Sequence, residues 1–327
     1  MHYGPCGGVK FDGRCEVDDH RCVFLDLPTV RWDQSTPVAG AATAAAADTR
    51  ALLEQRQVVI ADFPARALDQ ESARQCAAAL AGSVDFALSG DSGAARVQFS
   101  PSFRVQLIQG TGLPVWIGLN NRDRNRVALE GELAALAAVG VAGVHCVTGD
   151  HTATGDRPDA KPVFDLDSTE TAALARSFGH LVSVGESPTT PPVDRRAARL
   201  IEKERAGAEV CFVDHCGGWE AVDRFVHDAR ALGSAARYIP CVPVVIDRGS
   251  AELLKSFTTL VLPDDYLDRI LSANDPRTEG IAAAVELSEA MLALDGIAGV
   301  DLSGGPSHGG ELAFAEALAE IGERLAL

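Results

Sequence analysis

Residues 115–150 read VWIGLNNRDRNRVALEGELAALAAVGVAGVHCVTGD, and their pattern decides the fold. Val115–Asn120 is a short apolar run with a polar tip. Val127, Leu129, Leu133 and Leu136 then form roughly one stripe of a helix over 125–138, and Gly140 is the kind of residue that ends helices in a left-handed conformation. A second apolar run, Gly143–Asp150, follows. Strands that are apolar on both faces and separated by an amphipathic helix belong to a parallel sheet, because helices cover both of its sides.

The same unit recurs on either side. Val58–Phe63, Phe86–Gly90, Leu181–Pro188, Glu209–His215, Arg237–Val245 and Gly299–Gly305 bring the apolar segments to eight. Eight strand–helix units in about 250 residues predict a (β/α)8 TIM barrel, whose chemistry gathers where the strands end. The barrel is expected over 58–327, behind a small cysteine-bearing N-terminal extension (1–35) and a linker with a short helix (36–57). That helix is read over Asp48–Gln55, with Asp48 as N-cap. The connection His151–Ser168 is long and rich in Thr, Gly, Asp and Pro; it reads as a ligand-binding loop or lid, or alternatively as an inert surface insertion.

The formal charge of −17 argues against nucleic acid or an anionic membrane as the main partner. No secretory pattern is visible in residues 1–6 and no apolar run is long enough to span a bilayer, so a cytoplasmic location is expected. There the eight cysteines would stay reduced.

The strand tips carry the candidate chemistry. Asp62, Asp150, Glu186 and Asp214 are expected to crowd one rim, where carboxylates raise one another's pKa and supply a general acid. Asn120 leads into Arg122, Asp123, Arg124 and Asn125, suited to an anionic group or a flavin edge, or else to a surface Arg–Asp network at a helix start. His215 sits at a tip, whereas His145 lies mid-strand and reads as a core histidine. The glycine-rich 303–310 stretch is a weak phosphate-loop signal.

In this order the tips resemble the methylenetetrahydrofolate reductases. The matching pieces are Arg122-Asp123-Arg124-Asn125, Val147-Thr148-Gly149-Asp150, Gly155-Asp156, 163–168, Lys203 with 206–208, and Pro243. The resemblance implies an FAD-dependent reduction of 5,10-methylenetetrahydrofolate by a nicotinamide or another electron donor. It implies Arg122, Asp123, Asn125, Asp150 and Lys203 as cofactor-binding residues; Asn120, Asp214 and His215, at the strand tips, are read as substrate-binding. The first segment, with Cys6, Cys15 and Cys22, is similar to a cysteine-bearing module found with some of these reductases; the three thiols are read either as zinc ligands with a fourth partner or as reduced structural cysteines.

The chain also departs from that family. Its strand-one glutamate aligns with Ala61, which leaves Asp62 facing the opposite side of the strand unless the strand is bulged. The acid is therefore sought at Asp62, Glu186 or Asp214, the last more as a binding group, with Asp150 near the flavin ring. Loss of the usual acid opens two further readings: a folate-dependent methylene transferase, or a non-catalytic folate- or partner-binding subunit. A homo-oligomer or a partner subunit fits either.

Overall fold

The computed structural model describes residues 8–26, 32, 34–91, 95–257 and 259–325. Eight parallel strands close into a barrel in chain order. They are β1 (Val58–Asp62), β2 (Phe86–Ser89), β3 (Val115–Asn120), β4 (Gly143–Val147), β5 (Val182–Glu186), β6 (Val210–Val213), β7 (Arg237–Val244) and β8 (Gly299–Gly304). β1 pairs with both β2 and β8, which closes the ring. The helices among the described residues are α1 (Ala44–Gln55), α2 (Gln70–Leu80), α3 (Pro101–Gln109), α4 (Arg126–Val139), α5 (Ser168–Ser177), α6 (Arg196–Arg205), α7 (Trp219–Ala231), α8 (Arg248–Lys255), α9 (Tyr266–Ser272), α10 (Pro276–Leu292) and α11 (Glu311–Leu325). None is long and apolar enough to cross a membrane.

Alternation along each strand divides the core into two layers. Val59 and Ala61 join the outer layer beneath the helices, while Val58 and Ile60 join the inner one. Trp116 fills the interior, edge-on to Phe86 at 5.8 Å and to Phe212 at 5.5 Å. The inward series 58, 60 then continues to Asp62, and Ala61 is the residue that faces the helices. Asp62 therefore faces the pocket, and the strand carries no bulge in its pairing with β2 and β8.

Local signals set the helix ends. Asn125 caps α4 by accepting the Ala128 N–H at 3.0 Å, and Gly140 ends it at φ 74°. Leu129, Leu133 and Leu136 are buried against the strands, so replacing one with alanine would cost about 2–5 kcal/mol, but Val127 lies on the exposed side. The first helix begins earlier than expected. Thr43, not Asp48, is its N-cap and takes the Ala46 N–H. Ala46 and Leu53 of α1 pack on Val58, Leu181 and Val210 at the strand starts, and Arg50 clasps Glu209 at 2.7 Å, so this helix closes the bottom of the barrel. The opposite, C-terminal mouth remains open for a site.

Candidate functional site

A cavity of about 540 Å³ occupies that mouth. Strand ends line it, from Asp62 on β1 and Asn120 on β3 to Asp214 after β6 and Ser303 on β8. Residues 8–26 form part of its wall through Gly8, Val9, Cys22, Phe24 and Leu25. Val9, Cys22 and Leu25 make a small apolar cluster of their own, and Arg195 holds the Leu25 carbonyl at 3.4 Å. The long connection after β4 folds over Arg96, whose buried guanidinium donates to Thr154 Oγ1 at 2.7 Å and to the His151 carbonyl at 3.3 Å.

One end of the cavity is acidic. Asp62 Oδ2 accepts from Ser303 Oγ at 2.7 Å and from the Gly304 N–H at 3.3 Å. Burial pushes its pKa up to about 6 against those two hydrogen bonds, and Asp214 adds to the rise. Asp301, on β8, is 1% exposed and its Oδ1 has no partner. Burial, then Asp62 and Asp214, drive its pKa well above the carboxylate range. Cys241 approaches Asp301 Oδ2 at 3.6 Å, and burial next to that carboxylate keeps the thiol protonated. Asp214 accepts from Ser187 Oγ at 3.2 Å and from the His215 N–H at 2.8 Å.

The other end is basic. Glu186 is buried, with Lys203 at 2.6 Å and Arg196 at 3.5 Å. Burial opposes its ionisation, but Lys203 and Arg196 outweigh burial and lower its pKa. Arg199 also lines the cavity, and its pKa is lowered by burial and by Arg196. Arg196, Arg199 and Lys203 therefore gather around Glu186 and give this part of the cavity its cationic groups. Asp167, beside them, caps α5 and is pushed by burial to about 6.

The structure brings Asp62, Asn120, Arg122, Asp150, Glu186, Lys203 and Asp214 to the cavity wall. It does not bring Asp123, Asn125 or His215 there. Asn125 is spent as the α4 cap, and Asp123 is the salt-bridge partner of Arg122 at 2.6 Å. His215 is buried, follows inward-facing Asp214 by one residue, and finds no partner for either ring nitrogen among the described residues. Asp150 is largely exposed and lies 3.8 Å from Arg96. Asn120 donates to Asp91 and leaves its Oδ1 without a partner. Glu186, expected as a proton donor, is held ionised by its two cations and is poorly suited to that role.

The expected FAD site does not fit these residues. Arg122, Asp123 and Asn125 are engaged with one another's loop and helix, and Lys203 with Glu186, so they do not converge as a cofactor cradle. Nor does the zinc reading gain support. Cys6 lies outside the described residues, Cys15 and Cys22 are buried free thiols, and no group of three or more potential metal ligands occurs among the described residues.

Asp301, Arg196 and Arg199 went unnoticed in the sequence, although each left a trace. Asp301 is a lone carboxylate in the buried run GVDLSG. Arg196, Arg199 and Lys203 recur at helical spacing, which puts them on one face of α6.

No family model and no curated protein matches this chain. Solved structures do. An uncharacterized protein from Clostridium thermocellum that binds two copies of 5-methyl-5,6,7,8-tetrahydrofolic acid superposes with a TM-score of 0.59 at 12% identity, over 83% of this chain and 99% of that one. Oxaloacetate acetylhydrolase does so with a TM-score of 0.50 at 15% identity, over 87% of each chain. 2,3-Dimethylmalate lyase, of the PEP mutase/isocitrate lyase superfamily, follows with a TM-score of 0.49 at 17% identity, over 87% of this chain and 84% of that one. At such identities the likeness is one of fold. The barrel is shared with the first two of these proteins, neither of them described as a flavin-dependent reductase. The expected methylenetetrahydrofolate reductase, with its oxidoreductase activity, FAD and nicotinamide donor, is corrected on this finding. The motifs that suggested it are short loop segments, and here their charged residues mostly pair with one another.

Proposed function

We propose that this chain binds a reduced folate in the rim cavity and that Asp62 exchanges a proton with the bound ring. The observation that carries the reading is the polarity of the cavity. A tetrahydrofolate has hydrogen-bond donors along the N–C–N edge of its pteridine and carboxylates at the far end of its glutamate tail. Asp214, at the strand-six tip, suits the first, and Arg196 and Arg199, on α6, suit the second. The fold likeness to a protein that binds 5-methyltetrahydrofolate supports the same ligand class. Asp62 is half-buried and poised near pH 6, so either of its protonation states is within reach of neutral pH.

Calorimetric titration of the full chain with 5-methyltetrahydrofolate tests the reading. Saturable binding is expected, weakened roughly tenfold or more in Asp214→Ala through loss of a charge-assisted hydrogen bond. A tetrahydropterin without the glutamate tail should also bind at least about tenfold more weakly, and with less salt dependence. No binding at millimolar ligand, or equal binding of both ligands, would overturn the assignment. Affinity should further show an inflection near pH 6 that Asp62→Asn abolishes; an inflection that survives this substitution would remove Asp62 from the ring.

A further inference from the structure

His145 stands on the inner face of β4, in register with Gly118 of β3 and Ser183 of β5, and it lines the cavity. Its Nδ1 lies 3.0 Å from Ser183 Oγ. The same hydroxyl accepts the Trp116 Nε1–H at 2.8 Å. Indole nitrogen can only donate, so one lone pair of Ser183 Oγ is committed. The single hydroxyl proton then goes either to His145 Nδ1 at 3.0 Å or to the Val144 carbonyl at 3.4 Å. If Nδ1 instead donated to Oγ, the hydroxyl proton would be left with the Val144 carbonyl at 3.4 Å, beyond the usual O–H···O range, so the proton is assigned to Nδ1. An imidazole that accepts at Nδ1 carries its own proton on Nε2.

Nε2 has no protein partner among the described residues, and it is not sealed off. A glycine keeps it open. Gly185 has no side chain on that side, and a Cβ there would sit 3.7 Å from Nε2. The ring cannot readily turn away, because Phe212 packs edge-on against it at 4.9 Å. Burial, with Lys203 adding to it, lowers the pKa to about 4, so the ring is neutral across the physiological range.

We infer that the Trp116–Ser183–His145 chain fixes His145 as a neutral Nε2–H donor that recognises an acceptor atom of the ligand in the cavity. The identity of that acceptor, a pteridine carbonyl oxygen, rests on the folate reading; the direction of the donor does not. A hydrogen-bond donor that stays uncharged selects a carbonyl without attracting an anion.

Nitrogen-15 NMR of the full chain, labelled at histidine and assigned by loss of the signal in His145→Gln, tests the donor directly. An Nε2–H tautomer is expected, unchanged between pH 8 and pH 5; an Nδ1–H tautomer overturns the inference. With 5-methyltetrahydrofolate as probe, His145→Leu should weaken binding roughly tenfold, while His145→Gln, whose amide can place an N–H near the same point, should restore most of it. Thermal melts check that both variants fold. If the parent binds and His145→Leu binds equally well, the inference is wrong and the folate reading stands. If the parent does not bind, the folate reading falls and the tautomer alone decides whether His145 offers a donor.

Discussion

Replacing Lys203 with methionine is expected to destabilise the fold by roughly 3–5 kcal/mol, the cost of stripping the nearer counter-ion from a buried charge. Glu186 is 2% exposed, at the end of β5, and Lys203 Nζ sits 2.6 Å from its Oε1. Methionine keeps most of the aliphatic stem and helix propensity of lysine, so the loss reports on the charge. Arg196, at 3.5 Å, would remain but has the longer contact. Lys203→Met combined with Glu186→Gln should recover much of the stability, because no uncompensated charge then remains. Urea denaturation of the three proteins at pH 7.5 gives the comparison. If Lys203→Met unfolds within about 0.5 kcal/mol of the parent, the pair is not the internal prop described for the basic end.

The second large effect concerns pH. Asp62 has a folded pKa of about 6, above the ordinary carboxylate value of 3.8, through burial first and Asp214 next. Between these values the native state holds more protons than the unfolded one. Its contribution is therefore fully present below about pH 3.8 and is lost as pH rises through about 6. Two pKa units correspond to about 3 kcal/mol, and Asp62 is partly exposed to the cavity, so the difference expected at pH 8 is on the order of 2–3 kcal/mol. The Asp62→Asn side chain is uncharged at every pH, and its amide oxygen can still accept from Ser303 and Gly304. The variant should match the parent near pH 4 and exceed it in stability at pH 8. Asp301, whose pKa Asp62 helps to raise, is raised less in the variant and so adds to the difference in the same direction. Stability curves that run parallel from pH 4 to pH 8 would contradict the buried-acid account.

Both effects trace back to features that the sequence displayed unequally. The barrel was legible because strand and helix periods are local. Apolar runs such as Val115–Asn120, a helix bounded by Asn125 and Gly140, and eight repetitions of the unit leave little choice of architecture. The gathering of Asp62, Asp150, Glu186 and Asp214 at one mouth followed from topology, since all lie where strands end.

What each residue does there was not legible. Strand phase is the first reason: a shift of one residue exchanges inside for outside, and only the closed barrel established that Asp62 faces inward while Ala61 does not. Partnership is the second. Glu186 and Asp62 are both tip carboxylates in sequence, yet the helix packed against β5 delivers Lys203 and Arg196 to the one, while burial and Asp214 act on the other against the hydrogen bonds from Ser303 and Gly304. One is thereby held charged and the other close to neutrality. The amino-acid sequence by itself determined the barrel, its working end and the residue types gathered there. Which carboxylate keeps a proton, which stays ionised and which way His145 offers its N–H were decided only by the tertiary structure, because a pKa or a tautomer depends on neighbours far apart in the chain and on how completely they exclude water.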